Sequence, residues 1–273
     1  VEYTIVVEAK DNAGNTITGT VKATTGTVPT ASGATYTPNT WTSGKVTVTL
    51  PTKNGYSTVY TTNGTTPTKD STKYSAPFTV SGNCKINYLY TDGTNIGGAG
   101  TVNVTNIDTA NPVINTAITG SGTTSTIKLS MAVSDTQSGV NKIIWYYKLS
   151  TDSTYKNATD TYTATTANTT RTHTFTGLTQ NKTYNAYAVV YDATGRTTQS
   201  TTINVTTGTV PTASGATYTP NTWTKGNVTV TLPTKSGYTT VYTTNGTAPT
   251  KSSTKYSAAF TVSNNCKINY LYT

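Results

Sequence analysis

The chain is predicted to be all-β, a tandem series of β-sandwiches in an extended array. Thr supplies 73 of the 273 residues and Tyr 20, and β-branched and aromatic side chains suit a pleated, half-buried surface better than a helix. Leu, Met and Glu are scarce, and no stretch keeps apolar residues at i, i+3, i+4 and i+7 through three turns. Residues 25–91 return at 207–273, a shift of 182 positions, with eight of 67 aligned residues changed. The changes are Ser43/Lys225, Lys45/Asn227, Asn54/Ser236, Ser57/Thr239, Thr66/Ala248, Asp70/Ser252, Pro77/Ala259 and Gly82/Asn264. A unit copied this closely points to length, spacing or multivalency as its use, not to a single active site.

The register of the repeat divides the chain. Residues 1–27 (YTIVVEAKDNAGN…TITGTVKATTGT) follow the pattern of 184–209 (YNAYAVVYDATGR…TTINVTTGT), but without the strand-like sequence that precedes the later stretch. A lone strand pair is marginal in water, so residues 1–27 are expected to be the terminal strands of an incomplete module. Residues 28–106 and 107–208 are the two complete modules, of different type. Residues 209–273 are a second copy of the first type, expected to be incomplete at its end, because Thr273 aligns with Thr91 and the first copy continues as DGTNIGGAGTVNV. The chain reads as a window on a longer array of double modules.

In residues 28–106, KVTVTL (45–50) places Val46, Val48 and Leu50 on one face of a strand. STVYTTNGTTPT (57–68) runs into an Asn63-Gly64 turn, where φ > 0 is cheap. KYSAPFTV and CKINYLYT are the next strands, followed by Asp92-Gly93 and a closing TVNV. The run VYTTNGTTPTKDSTKYSAPFTVSGNCKINYLYTDG resembles the Ig-like module appended to bacterial chitobiases and hexosaminidases, with Asn63 where that family usually has Asp. TYTPNTWTSGKVTVTL is similar to the opening of Ig-like repeats in surface proteins of low-GC Gram-positive bacteria.

Residues 107–208 open with DTANPVI, and STIKLSMAVSDTQSGV supplies a strand with Ile127, Leu129, Met131 and Val133 on one face. KIIWYYKL sets Ile143, Trp145 and Tyr147 opposite Ile144 and Tyr146, and RTHTFTGLTQNKTYNAYAVVYDATGR gives two strands. Leu178 followed by Tyr184 resembles the fibronectin type III pattern, in which that Tyr forms a corner between two strands. The resemblance implies fold, not an activity.

The formal net charge of +9 arises from 19 basic residues against 10 acids, and the basic residues are scattered. A nucleic-acid site would need a basic stripe with groove-reading or stacking elements, so no nucleic-acid partner is expected. Nor does the window contain an apolar run long enough for a membrane span. Cys84 and Cys266 occupy one position in two copies, too far apart for a bridge; Cys84 is expected to be a small buried hydrophobe. An internal Lys–Asn cross-link is not expected, since Lys45 is Asn227 in the other copy.

Catalysis needs groups that titrate or attack near neutral pH. The lone histidine, His173, is expected on a solvated strand face, and no carboxylate pair, phosphate loop or zinc spacing stands out. The expectation is therefore no enzyme, no cofactor and no resident metal. Most acids lie in turns, where a carboxylate accepts local N–H bonds. Asp108, Asp135 and Asp192, in a linker and two loops, carry calcium as the alternative to turn-capping, without EF-hand spacing. Trp41 and its equivalent Trp223 are the candidate glycan-stacking residues; the structural alternative packs each ring over a sandwich end with its N–H bonded to a loop carbonyl. Trp145 is expected in the core.

These readings converge on a structural repeat segment of an extracellular bacterial surface stalk, fibre or filament. Its expected partners are neighbouring modules of the same longer chain. The alternative is a carbohydrate-binding or adhesive module of a surface adhesin, a glycoside hydrolase or a phage fibre, with cell-wall or host glycans as ligands.

Overall fold

In the computed structural model, which describes residues 2–273, every regular element is a β-strand. Val1, at the head of the first predicted segment, lies outside the described residues. β1 (Glu2–Lys10) and β2 (Thr16–Thr24) pair antiparallel from Glu2↔Thr24 to Lys10↔Thr16. Asp11 forms their turn by accepting the N–H groups of Ala13 and Asn15 on Oδ1 at 2.9 and 2.8 Å. The Asn15 side chain bonds Oδ2 at 2.8 Å, and it leads the contacts that hold the Asp11 carboxyl below its ordinary range. Every residue of both strands is exposed, so no second sheet covers Ile5, Val7, Ile17 or Val21.

The first Ig-like module sandwiches two antiparallel sheets. One orders β3 (Thr35–Thr37), β4 (Val46–Thr49) and β7 (Phe78–Val80); the other orders β6 (Thr72–Lys73), β5 (Ser57–Thr61), β8 (Cys84–Thr91) and β9 (Gly100–Val104). The period of two delivers the core, because Val46, Val48 and Leu50 from one sheet meet Ile86, Tyr88 and Val104 from the other. The Asn63-Gly64 turn forms as predicted, with Gly64 at φ +79° and Asn63 Oδ1 accepting the Thr65 N–H. Gly100 lets β9 lie close: a Cβ there would sit 2.5 Å from both the Ala31 carbonyl oxygen and the Tyr88 ring.

KYSAPFTV, expected as one strand, is instead broken. Thr72–Lys73 joins β5, Phe78–Val80 joins β4 in the opposite sheet, and Tyr74 donates its N–H to the Thr58 carbonyl at the crossing. Pro77 is not the cause, since the second copy has Ala259 there and breaks the same way. The crossing is fixed by aromatic packing: Phe78 stacks on Tyr60 at 4.5 Å and meets Tyr74 edge-on at 6.4 Å.

The fibronectin III-like module has one sheet in which β12 (Ile127–Ser134) is flanked by β10 (Val113–Ile114) and β11 (Thr119–Gly122) and also pairs β15 (Thr169–Phe175). The other orders β14 (Lys156–Thr165), β13 (Val140–Leu149) and β16 (Thr183–Asp192), with β17 (Thr197–Gln199) and β18 (Ile203–Thr206) both on β16. Ile127, Leu129, Met131 and Val133 face Ile143, Trp145, Ala186, Ala188 and Val190 across the sandwich. Tyr184 is buried with them, and its hydroxyl accepts the Thr179 N–H at 3.0 Å, which is the expected corner.

The second Ig-like copy repeats the first as β19 (Thr217–Thr219), β20 (Val228–Thr231) and β23 (Phe260–Val262) in one sheet, and β22 (Thr254–Lys255), β21 (Thr240–Thr243) and β24 (Asn269–Tyr272) in the other. Its core holds Val230, Leu232 and Val241.

Candidate functional site

Ile107 and Asp108 carry the chain from the first Ig-like module into the fibronectin III-like one, and both are held by side chains. Asn83 donates its Nδ2 to the Ile107 carbonyl at 2.9 Å and accepts the Ile107 N–H on Oδ1 at 2.8 Å. Asp108 gives its N–H to the Thr42 carbonyl at 2.8 Å, while Thr42 donates to Asn106. Asn106 Nδ2 in turn bonds the carbonyls of Pro38 and Thr40. From the other side, Gln137 Oε1 accepts the N–H groups of Thr109 and Ala110, and Arg196 Nε donates to the Asp108 carbonyl. The joint is thus stitched to both modules.

Three carboxylates converge beside it. Asp108 comes from the linker, Asp135 from the DTQSG loop between β12 and β13, and Asp192 from the end of β16. Each offers an oxygen within 4.8 Å of the other two, and all three are 0–1 % exposed. Local turn bonds occupy one oxygen apiece. Asp135 Oδ1 accepts the N–H groups of Gln137 and Gly139, and Asp192 Oδ1 those of Thr194 and Arg196 with the Thr194 hydroxyl. Asp108 differs, since Ala110 bonds its Oδ1 and Ser138 its Oδ2.

The second oxygens of Asp135 and Asp192 are buried without a partner, as is Ser138 Oγ. No ion pair among the described residues reaches any of the three. Any two charged carboxylates held within 4.8 Å would repel by about 3 kcal/mol or more at an effective dielectric constant near 20. Turn-capping accounts for the Oδ1 atoms and leaves the orphaned Oδ2 atoms unexplained. Asp11, which corresponds to Asp192 in the sequence pattern, has its Oδ2 satisfied by Asn15.

His173 was expected on a solvated face; its side chain is only 19 % exposed. Asp160 Oδ2 accepts from Trp145 Nε1 at 2.9 Å and lies 3.0 Å from His173 Nδ1, whose ring stacks on Trp145. Tyr162, bonded to the same oxygen at 3.4 Å, has its hydroxyl pushed up to about 12, by burial first and then by the Asp160 charge. This cluster is a cross-sheet polar seam anchoring Trp145, which is fully buried as expected.

The candidate tryptophans stand apart from one another, one in each Ig-like copy. Trp41 is 40 % exposed and Trp223 99 %. Neither indole N–H has a partner among the described residues, so the expected bond to a loop carbonyl is absent from both. Trp223 borders an open groove of about 790 Å³ lined by Val228, Val230, Leu232, Cys266, Ile268 and Tyr270. The first-copy counterparts of Cys266, Ile268 and Tyr270 pair with β9 through Cys84↔Val104, Ile86↔Val102 and Tyr88↔Gly100. The groove is therefore the seat that β9 fills in the first copy. This also separates the cysteines: Cys84 is half-buried, with burial pushing its thiol up, whereas Cys266 is exposed.

Comparison with known proteins gives one family. Residues 38–102 and 219–273 match the chitobiase/beta-hexosaminidase C-terminal domain. No curated protein matches the chain. Among solved structures, the FN1-FN3 domains of chicken CNTN1 are similar at 13 % identity and a TM-score of 0.34, over 90 % of this chain and 89 % of that one.

Proposed function

We propose that this chain, in which Ig-like modules of the chitobiase/beta-hexosaminidase C-terminal type alternate with a fibronectin III-like one, is a structural segment of an extracellular bacterial stalk, fibre or filament. It acts as spacer and display scaffold, has no enzymatic role, and works with neighbouring modules of the same array. One observation carries the reading: all eight positions that differ between the two Ig-like copies are exposed in the first. The copies share a core, turns and strand faces and differ only where solvent meets the chain. That is what a part used for its shape requires.

Strands of up to ten residues in the fibronectin III-like module and up to eight in the Ig-like one, at about 3.3 Å per residue, make the sandwiches roughly 33 and 26 Å long. The two set end to end advance on the order of 60 Å. Prolines in the connecting segments, such as Pro112 in DTANP, stiffen the backbone. Images of the assembled fibre are expected to show an axial repeat of ~60 Å; compact globular particles would refute the spacer role.

The exposure of Trp41 on a module with its full set of strands supports a second reading, a glycan-binding or adhesive module. Under it, binding to a glycan array would be lost in the Trp41→Ala, Trp223→Ala double variant. Under the spacer reading no glycan binds.

A further inference from the structure

The aspartate cluster at the joint asks for something that turn-capping does not supply. Three carboxylates from three separate segments meet with 0–1 % exposure, and the Oδ2 atoms of Asp135 and Asp192 are buried with no donor. A carboxylate serving only its own turn leaves its second oxygen in water or on a side chain, as Asp11 does with Asn15. Here both spare oxygens are turned away from solvent into a region that holds a third carboxylate. Arg196 gives its Nε to the Asp108 backbone carbonyl and pairs with none of the three carboxylates.

We propose that Asp108, Asp135 and Asp192 bind one Ca²⁺ ion, and that the ion locks the joint between the Ig-like and fibronectin III-like modules. The donors are all carboxylate oxygens, with no His or Cys in the cluster, which suits a hard cation and disfavours zinc or copper. Coordination habit favours calcium, which takes about six to eight oxygens in flexible geometry, whereas magnesium demands near-ideal octahedral order and usually keeps several waters. The three carboxylate oxygens lie within 4.8 Å of one another, near enough to share one ion.

The consequence for the joint follows from where each ligand sits. Asp108 is bonded through its N–H to Thr42 of the Ig-like module, while Asp135 and Asp192 belong to loops of the fibronectin III-like one. An ion shared by the three couples the linker to both loops, and the stoichiometry is one ion per double module. The site stands on these residues whether or not the spacer reading holds.

The test is calorimetric titration of the full chain, freed of metal with a chelator, together with its thermal unfolding. Expected are one Ca²⁺ per chain at sub-millimolar affinity, a midpoint that keeps rising with the logarithm of Ca²⁺ concentration, and little response to equimolar Mg²⁺. Asp135→Asn and Asp192→Asn are expected to weaken binding at least tenfold. Should those variants fail to fold, hydrogen exchange on the wild-type chain decides: Ca²⁺ is expected to slow the amides of Gly139, Thr194 and Arg196. No heat and no slowing at 5 mM Ca²⁺ would overturn the proposal, as would an equal response to Mg²⁺ or unchanged affinity in both folded variants.

Discussion

Replacing Asn83 by Ala removes the bracket around Ile107, and the second copy provides its own control. Ile107 is 1 % exposed, and both of its backbone groups are bonded by the Asn83 side chain, at 2.8 and 2.9 Å. Only the carbonyl has another donor, Gln137 Nε2 at 3.5 Å. Losing two neutral bonds costs about 1 kcal/mol each, and stranding the buried N–H adds about 1–3 kcal/mol, so the expected loss is about 3–5 kcal/mol. At the equivalent position Asn265 is exposed and has no hydrogen bond among the described residues, so Asn265→Ala is expected to cost within about 0.5 kcal/mol. The assay is native-state hydrogen exchange at the Ile107 and Asp108 amides, with denaturant unfolding alongside. A loss of about 3 kcal/mol corresponds to an exchange rate higher by about two orders of magnitude for amides that open with this segment. Equal costs for the two alanine variants, or unchanged protection at Ile107, would refute the reasoning.

Gly139→Ala is expected to cost about 3 kcal/mol or more by chemical denaturation, because φ is +83° and the new Cβ would lie 2.7–2.9 Å from the Thr165 backbone. Gly195→Ala, at φ +89° with nothing within 4 Å, carries only the conformational penalty of about 1–2 kcal/mol. Tyr184→Phe, which removes the acceptor for the Thr179 N–H, is expected to lower stability by about 1 kcal/mol in the same assay. Tyr162 has a folded-state value raised from 10.0 to about 12. Its contribution is complete below about pH 10 and is lost as pH rises towards 12. Unfolding midpoints of wild type and Tyr162→Phe are therefore expected to converge or cross across that window, whereas a constant difference would contradict the shift.

Where alternation was apolar, the sequence announced its strands. Val46, Val48 and Leu50, the Ile127–Val133 face, and Ile143 with Trp145 all point into cores as their period of two requires. β11 and β14 escaped because TGSG and KNATDTYTAT carry no apolar stripe; β14 is an edge strand defined by its pairing with β13. Missing β14 hid Asp160, and without Asp160 nothing in RTHTFTG shows that His173 is drawn in beside Trp145. The three aspartates were individually visible as a linker and two loop residues. Their convergence depends on how β12, β16 and the linker end together, which local sequence does not encode.

Two Ig-like copies with the same core stand on either side of a fibronectin III-like module built from different strands. During synthesis and refolding, near-identical neighbours are prone to trade strands, since each accepts the other's sequence almost as well as its own. Placing about a hundred residues of unlike sandwich between the copies lowers the effective concentration at which one can donate to the other. Alternation thus limits strand exchange between the two like copies.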